Sequence, residues 1–553
     1  MKSRHLVLAA VSLLLVVLVV LPLCSVFFDA FTIPGPQGRR FGFDNFVQVM
    51  THWPYWSSLA TTLVVSIGAT IVATVIGIAL AWALVRTNTP AAALLERLAI
   101  LPIFIPPFVG AFAWILLAAP RIGLGNVALG VVGLPLFLDV YSIVGITWVI
   151  GIYMAPYALM IIASALRSMD PSMEEVGQVA GLSRWRVALT ITLPVIAPAV
   201  LSAAVLTFVI AIGLFGTPVL LGWARQILTL TSRIYLESQQ VPPAYGVMAV
   251  LAIYLMALSL LAVFLQQRLL RGRSFITVTG KGFRPRQIEL GAMRFVIFAL
   301  VALYIALTVI IPVLVIAVAS LSTYAWSGVF TAQHYAFLWN SSDVHDTLKN
   351  SLIIAIMAAT LGSVLGIAIA WLSCRTAVRG RKLLEYLVLM PLSVPSIAFG
   401  IGVAAFWLRL PFDIAATVWL IIIGFIGRFT GYAVRTISGS LVQIHPELEE
   451  SARISGYGPA RTVGRITLPL IRPSIVSSWV LLYSIFMTEL SMVMMLYNAD
   501  TRTFSILTFD SWFAGYFSRV ASLSILQLVV GVLIMQAVSL LASRRGAAAG
   551  VAA

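Results

Sequence analysis

A chain of 553 residues that is 61% apolar and only 10% charged cannot hide its hydrophobic surface in a water-soluble fold of ordinary composition. Its mean hydropathy of +1.04 assigns it to a bilayer, and apolar runs of helix length, in place of weak ten-residue alternation, exclude a β-barrel. The formal charge of +16 invites a nucleic-acid partner, a reading that the placement of the basic residues excludes.

Each membrane span needs about 20 apolar residues. In chain order such runs fall near 6–28, 58–85, 98–119, 141–165, 192–221 and 247–267, then near 295–320, 347–374, 384–408, 414–435, 470–497 and 520–542. They predict an all-α polytopic membrane protein of about twelve transmembrane helices. Lys2 and Arg4 precede a first run that is too long for a signal-peptide core and has no small-x-small site after it, so it reads as an uncleaved span. Leu23, before Cys24, is too large for lipoprotein-type cleavage. Cys24 and Cys374 both fall in spans, which implies no disulfide framework. The five histidines form no metal-spacing cluster.

Counted from a cytosolic N-terminus, 25 Lys and Arg residues fall in inner loops and tails against nine in outer ones. The positive-inside rule then puts both termini in the cytosol. Basicity here reports topology, with membrane lipid as the surrounding partner and no nucleic acid.

Two segments recur at fixed offsets. Ile76-Gly77-Ile78-Ala79-Leu80-Ala81-Trp82, followed by Arg86-Thr87, returns 289 residues later as Leu365-Gly366-Ile367-Ala368-Ile369-Ala370-Trp371, followed by Arg375-Thr376. Pro102 and Pro106 return as Pro391 and Pro395. Further along, Glu175, Gly181, Ile191 and Pro194 map onto Glu450, Gly456, Ile466 and Pro469, but 275 residues on. The first copy therefore carries 14 extra residues, assigned to the glycine-rich outer loop at 120–139. This gives a first repeat at 1–275, a basic cytosolic linker at 276–294 and a second repeat at 295–553. Six spans per repeat make the repeats parallel. Within the linker, Gly280-Lys281-Gly282 lacks the Ser/Thr and glycine spacing of a phosphate loop.

The downstream segment, 170–194 and again 445–469, has the grammar of two short helices. In the first copy Asp170 caps a helix, Pro171 suits its first turn, and Glu174 and Glu175 sit at its positive end. Gly181 stops that helix, and Ser183 restarts the chain through Arg184, Trp185 and Arg186. In the second copy Pro446, Glu447, Glu449 and Glu450 open, Gly456 stops and Gly458-Pro459 restarts. A glycine elbow between two short helices makes a stiff knob, and two equivalent knobs suit two equivalent grips for an external motor. Two charges also fall inside predicted spans. Glu489 lies in the outer part of span eleven. Arg428 lies in the inner part of span ten, about two turns from its inner end, within snorkelling reach. Such groups usually face a polar cavity, and their different depths disfavour a direct ion pair.

The duplicated Glu-x-x-x-x-x-Gly followed by Ile-Thr-Leu-Pro closely resembles the EAA loop of permease subunits in type I ABC importers, with Val176-Gly177 and Ser451-Ala452 at the alanine positions. The resemblance covers essentially the whole chain as two fused permease domains. It implies a pathway between the halves in the inner membrane, with two separate ABC ATPase subunits docking on the loops and using ATP and Mg. It also implies an extracytosolic solute-binding protein, no cofactor bound by this chain and no enzyme activity of its own. No Gly-x-x-x-x-Gly-Lys-[Ser/Thr] occurs in the chain. Under this resemblance Glu174, Glu175, Gly181, Glu449, Glu450 and Gly456 are the ATPase-coupling residues. Phe215-Gly216-Thr217-Pro218 in span five, the linker Thr277-Val278-Thr279-Gly280-Lys281-Gly282, and Thr488-Glu489-Leu490 look most like the ferric-iron group. Leu214 stands where that group often has an acid. The implied cargo is ferric iron, with phosphonate, thiamine, polyamine or sugar-phosphate as alternatives. Glu489, Arg428, Phe215 and Thr217 are then the candidate pathway residues. A secondary transporter of about twelve spans is the reading from another class.

Overall fold

Prolines punctuate this largely helical chain at matched positions in its two copies, and Thr32–Gly35 pairs with Gly38–Phe41 as a short antiparallel hairpin. The computed structural model describes residues 2–35, 38–133, 138–170, 172–270, 288–324, 327–376, 378–414, 417–445 and 447–550. Pro171, Pro446 and most of the predicted linker, including 277–282, lie outside the described residues. Among those described, ten helices are long and apolar enough to cross a membrane. They are Val7–Ala30, Trp53–Arg86, Ile143–Ser168, Ala188–Gly213, Tyr245–Leu270, Met293–Ser320, Ser342–Arg375, Trp419–Gln443, Val463–Thr488 and Phe517–Val538.

The third and ninth predicted spans are broken. Ala92–Phe104 meets Pro107–Ala118 at 99°, and Arg381–Ser393 meets Ser396–Trp407 at 113°. The residue before the second recurring proline of each copy, Pro106 or Pro395, is driven out of the helical region: Ile105 has ψ 122° and Val394 has ψ 129°. The fifth and eleventh spans end earlier than their apolar runs, at Gly213 and Thr488.

Elsewhere proline widens the helix without breaking it. One turn with i→i+5 bonding occupies Val16–Val20, Ala188–Thr192, Ala306–Ile310 and Val463–Thr467. Each ends two residues before a proline: Pro22, Pro194, Pro312 or Pro469. A proline cannot donate to the carbonyl four residues back and crowds it, and a π turn relieves both problems. In the first coupling segment the Leu193 N–H reaches Ala188 O instead.

The chain divides into two units that cut across its sequential halves. One comprises Met1–Val49, Glu237–Ile253 and Thr331–Ala553; the other comprises Met50–Leu236 and Tyr254–Phe330. In the first unit, Val7–Ala30 lies against helices of the second repeat. Gly427 and Gly402 there face the backbone oxygens of Leu18 and Pro22 so closely that a Cβ would sit 2.6 and 2.5 Å from them. Glycine permits this approach, the usual means of drawing helices together in lipid. At the end of the same span the Asp29 carboxylate takes Arg409 and, at 3.4 Å, Arg39.

In the second unit the mirror arrangement holds. Met293–Ser320, the first span of repeat two, packs on repeat one, where Tyr304 donates to the carbonyl of Ile152 at 3.1 Å. Helix crossings also repeat. Gly77 admits Ala158 in one unit and Gly366 admits Ala433 in the other, pairs related by the two sequence offsets. The 14-residue excess of the first copy is not an open loop throughout, because Leu124–Val132 forms a helix ended by Gly133 at φ +72°.

Candidate coupling and translocation sites

The coupling segments adopt one conformation twice. Ser172–Val179 and Glu447–Ile454 are the opening helices. Asp170 accepts the Ser172 N–H at 2.9 Å, the predicted cap. Gly181 and Gly456 follow with φ +84° and +82°, left-handed values that favour glycine. The next residue turns its N–H back over the helix end, Leu182 to Gly177 O and Tyr457 to Ala452 O, both at 3.0 Å. This is the Schellman closure of a helix. Ser183 then accepts the Arg186 N–H at 3.4 Å and restarts the chain. The short helices Arg184–Val187 and Pro459–Thr462 run through the π turns into the fifth and eleventh spans.

The four glutamates of these loops divide by direction. Glu175 and Glu450 are exposed. Glu174 and Glu449 turn inward, onto the body of their own unit. Glu174 Oε1 lies 2.9 Å from the guanidinium of Arg86 and accepts the Thr192 hydroxyl at 2.5 Å. Glu449 Oε1 lies 3.2 Å from Arg375 Nε and accepts the Thr467 hydroxyl at 2.9 Å. Sequence reasoning grouped all four together. The signal separating them was the recurrence of Arg86-Thr87 and Ile191-Thr192, and only the fold brings those two motifs to the same carboxylate. Within the described end of the linker, Ile288 donates to Arg86 O at 2.7 Å and accepts from Asn88 N at 3.2 Å, which lays the chain beside the first coupling segment.

The candidate pathway residues divide between the units, Phe215 and Thr217 in one and Arg428 and Glu489 in the other. Phe215 and Thr217, predicted within span five, lie beyond its end, at the start of the helix Gly216–Gly222. Phe215 is fully buried against Tyr235, with ring centroids 5.4 Å apart, and Thr217 donates to Pro107 O at 3.0 Å. Arg428 also departs from expectation. Its helix continues to Gln443, fifteen residues on, so the side chain is too far from that end to snorkel. Instead its guanidinium donates to Pro391 O and lies 5.0 Å over the Phe429 ring. No ion pair joins Arg428 to Glu489 among the described residues.

Glu489 occupies the position 275 residues after Leu214, and both directly follow the end of a span. Its carboxylate accepts the N–H groups of Met492 at 2.9 Å and Val493 at 3.4 Å, capping Val493–Leu496. Exchange to alanine removes the cap, at a cost of about 1 kcal/mol. Glu489→Ala lowers the melting temperature of the purified chain, whereas Glu489→Gln keeps an acceptor oxygen and holds it. Altered uptake kinetics in the glutamine variant, with ATPase still bound, then report the charge alone; unchanged kinetics remove Glu489 from the pathway.

Comparison with known proteins agrees with the duplicated plan. The family model described as "Binding-protein-dependent transport system inner membrane component" matches residues 73–275 and 362–546. The two matches begin 289 residues apart, the upstream repeat offset, and both leave out the first span of their repeat. The chain is 26% identical over 511 residues to the ferric transport system permease protein FbpB of Actinobacillus pleuropneumoniae, covering 90% of this chain and 72% of that one. It is also 26% identical over 504 residues to a putative ferric transport system permease protein, FbpB 1, of Haemophilus influenzae, covering 90% and 79%. A putative 2-aminoethylphosphonate permease, PhnV, of Salmonella typhimurium is 26% identical over 240 residues, covering 43% of this chain and 90% of its own. Among solved structures, a bacterial ABC transporter that imports alginate aligns at 18% identity with a TM-score of 0.40, over 45% of this chain and 96% of that one. With the family match spanning well over half its length in two copies, the chain belongs to the binding-protein-dependent transport system inner membrane components, as a fused pair of permease repeats.

Proposed function

We propose that the chain forms the translocation pathway of an ATP-driven importer in a cell membrane, with ferric iron as its cargo. The observation that carries this reading is the pair of glycine-ended elbows at Gly181 and Gly456, alike in backbone and in sequence. Two such handles suit two copies of one ATPase, which binds ATP and Mg and contacts the exposed Glu175 and Glu450. Relatives named for ferric transport support the cargo, since they align along 90% of the chain, whereas the phosphonate relative aligns with less than half. A solute-binding protein on the opposite face delivers the iron, and the basic inner loops orient both termini toward the cytosol.

Reconstitution in proteoliposomes with the cognate ATPase and binding protein tests the proposal. Radiolabelled ferric iron accumulates only when ATP is present on the ATPase side and the iron-loaded binding protein on the other. Accumulation driven by an ion gradient without ATP would instead establish a secondary transporter. ATP hydrolysis stimulated by a binding protein loaded with a phosphonate, and not with iron, would keep the importer and change its cargo.

A further inference from the structure

Glu174 and Glu449 carry a role distinct from docking. Each precedes an exposed glutamate by one residue, about 100° round the same helix, and each is drawn inward to an arginine and a threonine. The arginines end the second and eighth spans, and their side chains are 1% and 8% exposed. The threonines belong to the π turns that open the fifth and eleventh spans. Each carboxylate therefore fastens three elements at one point: a coupling helix, the end of one span and the start of another. Arg375 is held further by the carbonyls of Leu441 and Ile444, at 2.8 and 2.7 Å, where the tenth span ends.

The two pins keep the same partners across different lengths of chain. Glutamate follows arginine by 88 residues in the first copy and by 74 in the second, the 14-residue insertion making the difference. A contact that only closed a local turn would not survive that change. Nor does simple stabilisation account for it, because a buried ion pair contributes little net stability compared with apolar groups of the same shape. What a buried ion pair does provide is a fixed pairing between the parts it joins, because separating it would leave a buried charge uncompensated.

We propose that Glu174 and Glu449 are positioning residues of the coupling step, transmitting displacement of each elbow to the spans while the neighbouring Glu175 and Glu450 make the docking contact. This rests on the importer reading above. The test uses the complete transporter, with its ATPase and loaded binding protein, in proteoliposomes. In Glu174→Gln with Glu449→Gln, the ATPase still copurifies and ATP is still hydrolysed, but solute moved per ATP falls at least tenfold. Thr192→Val with Thr467→Val, which removes one hydroxyl from each pin and leaves the charges paired, gives a smaller fall in the same ratio. The exchange Arg86→Glu with Glu174→Arg, and likewise at 375 and 449, recovers part of it. An unchanged ratio of solute to ATP in the glutamine variant overturns the proposal. So does a fall in uptake matched by equal loss of bound ATPase, which would mean docking, or by equal loss of folded chain, which would mean stability alone. Absence of ATP-driven uptake in the unaltered transporter would defeat the importer reading itself, a result seen before any variant is compared.

Discussion

Replacing Gly181 and Gly456 together by valine abolishes ATP-driven uptake while the chain still inserts in the membrane. Both glycines hold φ near +83°, where an L residue loses about 1–2 kcal/mol and a β-branched one is a true outlier. A Cβ at either position meets nothing within 4 Å, so the cost lies in the backbone and not in a clash. To relieve it the elbow must leave the left-handed region, which breaks the bonds from Leu182 to Gly177 and from Tyr457 to Ala452. Each 1.4 kcal/mol is about tenfold in a population, so two opened elbows reduce uptake by well over tenfold. Uptake in proteoliposomes, set against the quantity of chain in the membrane, is the measurement. Full transport by the double variant would remove the elbows from coupling.

Replacing Gly402 and Gly427 by leucine has the second large effect, on the fold itself. Their Cβ atoms would stand 2.5 Å from Pro22 O and 2.6 Å from Leu18 O, backbone atoms that cannot swing aside as a side chain does. Overpacking of this kind costs roughly 1–3 kcal/mol at each site, and here the first span must move away from the helices of the second repeat. The purified protein in detergent melts several degrees lower and is cut sooner by trypsin near the N-terminal span. Gly439→Leu, on the same helix as Gly427 but facing open space, leaves the melting temperature unchanged. A matching fall in that control would show that any leucine in the helix is harmful.

Much of this architecture was legible because proline and glycine act locally. Gly181 and Gly456 stop helices where their sequence context says they must, and the duplicated spacing marked both as parts of one device. The bends at Ile105 and Val394 were present in the sequence as recurring prolines, but apolar content alone ran straight through them into a single span. Hydropathy likewise carried the fifth and eleventh spans past their ends, and so placed Phe215 and Thr217 inside one. What stayed hidden depends on distant parts of the chain. Arg86 and Glu174 each stand in a recurring segment, yet nothing local joins residues 88 apart. Arg428 lies further from the end of its helix than the apolar run implies, because polar residues in the last turns, among them Arg435 and Ser438, make the span look shorter than Trp419–Gln443. The equivalence of Glu489 and Leu214 needed only the 275-residue offset.

The exchange of first spans governs how the protein is made. Val7–Ala30 leaves the ribosome long before Ser396–Trp407 and Trp419–Gln443, against which it rests; at roughly 5–20 residues per second the wait is on the order of 20–80 s. During that interval it must survive in lipid without its neighbours. It is the most hydrophobic of the ten membrane helices, and Met293–Ser320, the other exchanged one, is second. Translation stopped after the first repeat thus yields a fragment that lacks most of one unit and the closing helix of the other. Two polypeptides divided in the linker complete both units only when they are synthesised into the same membrane.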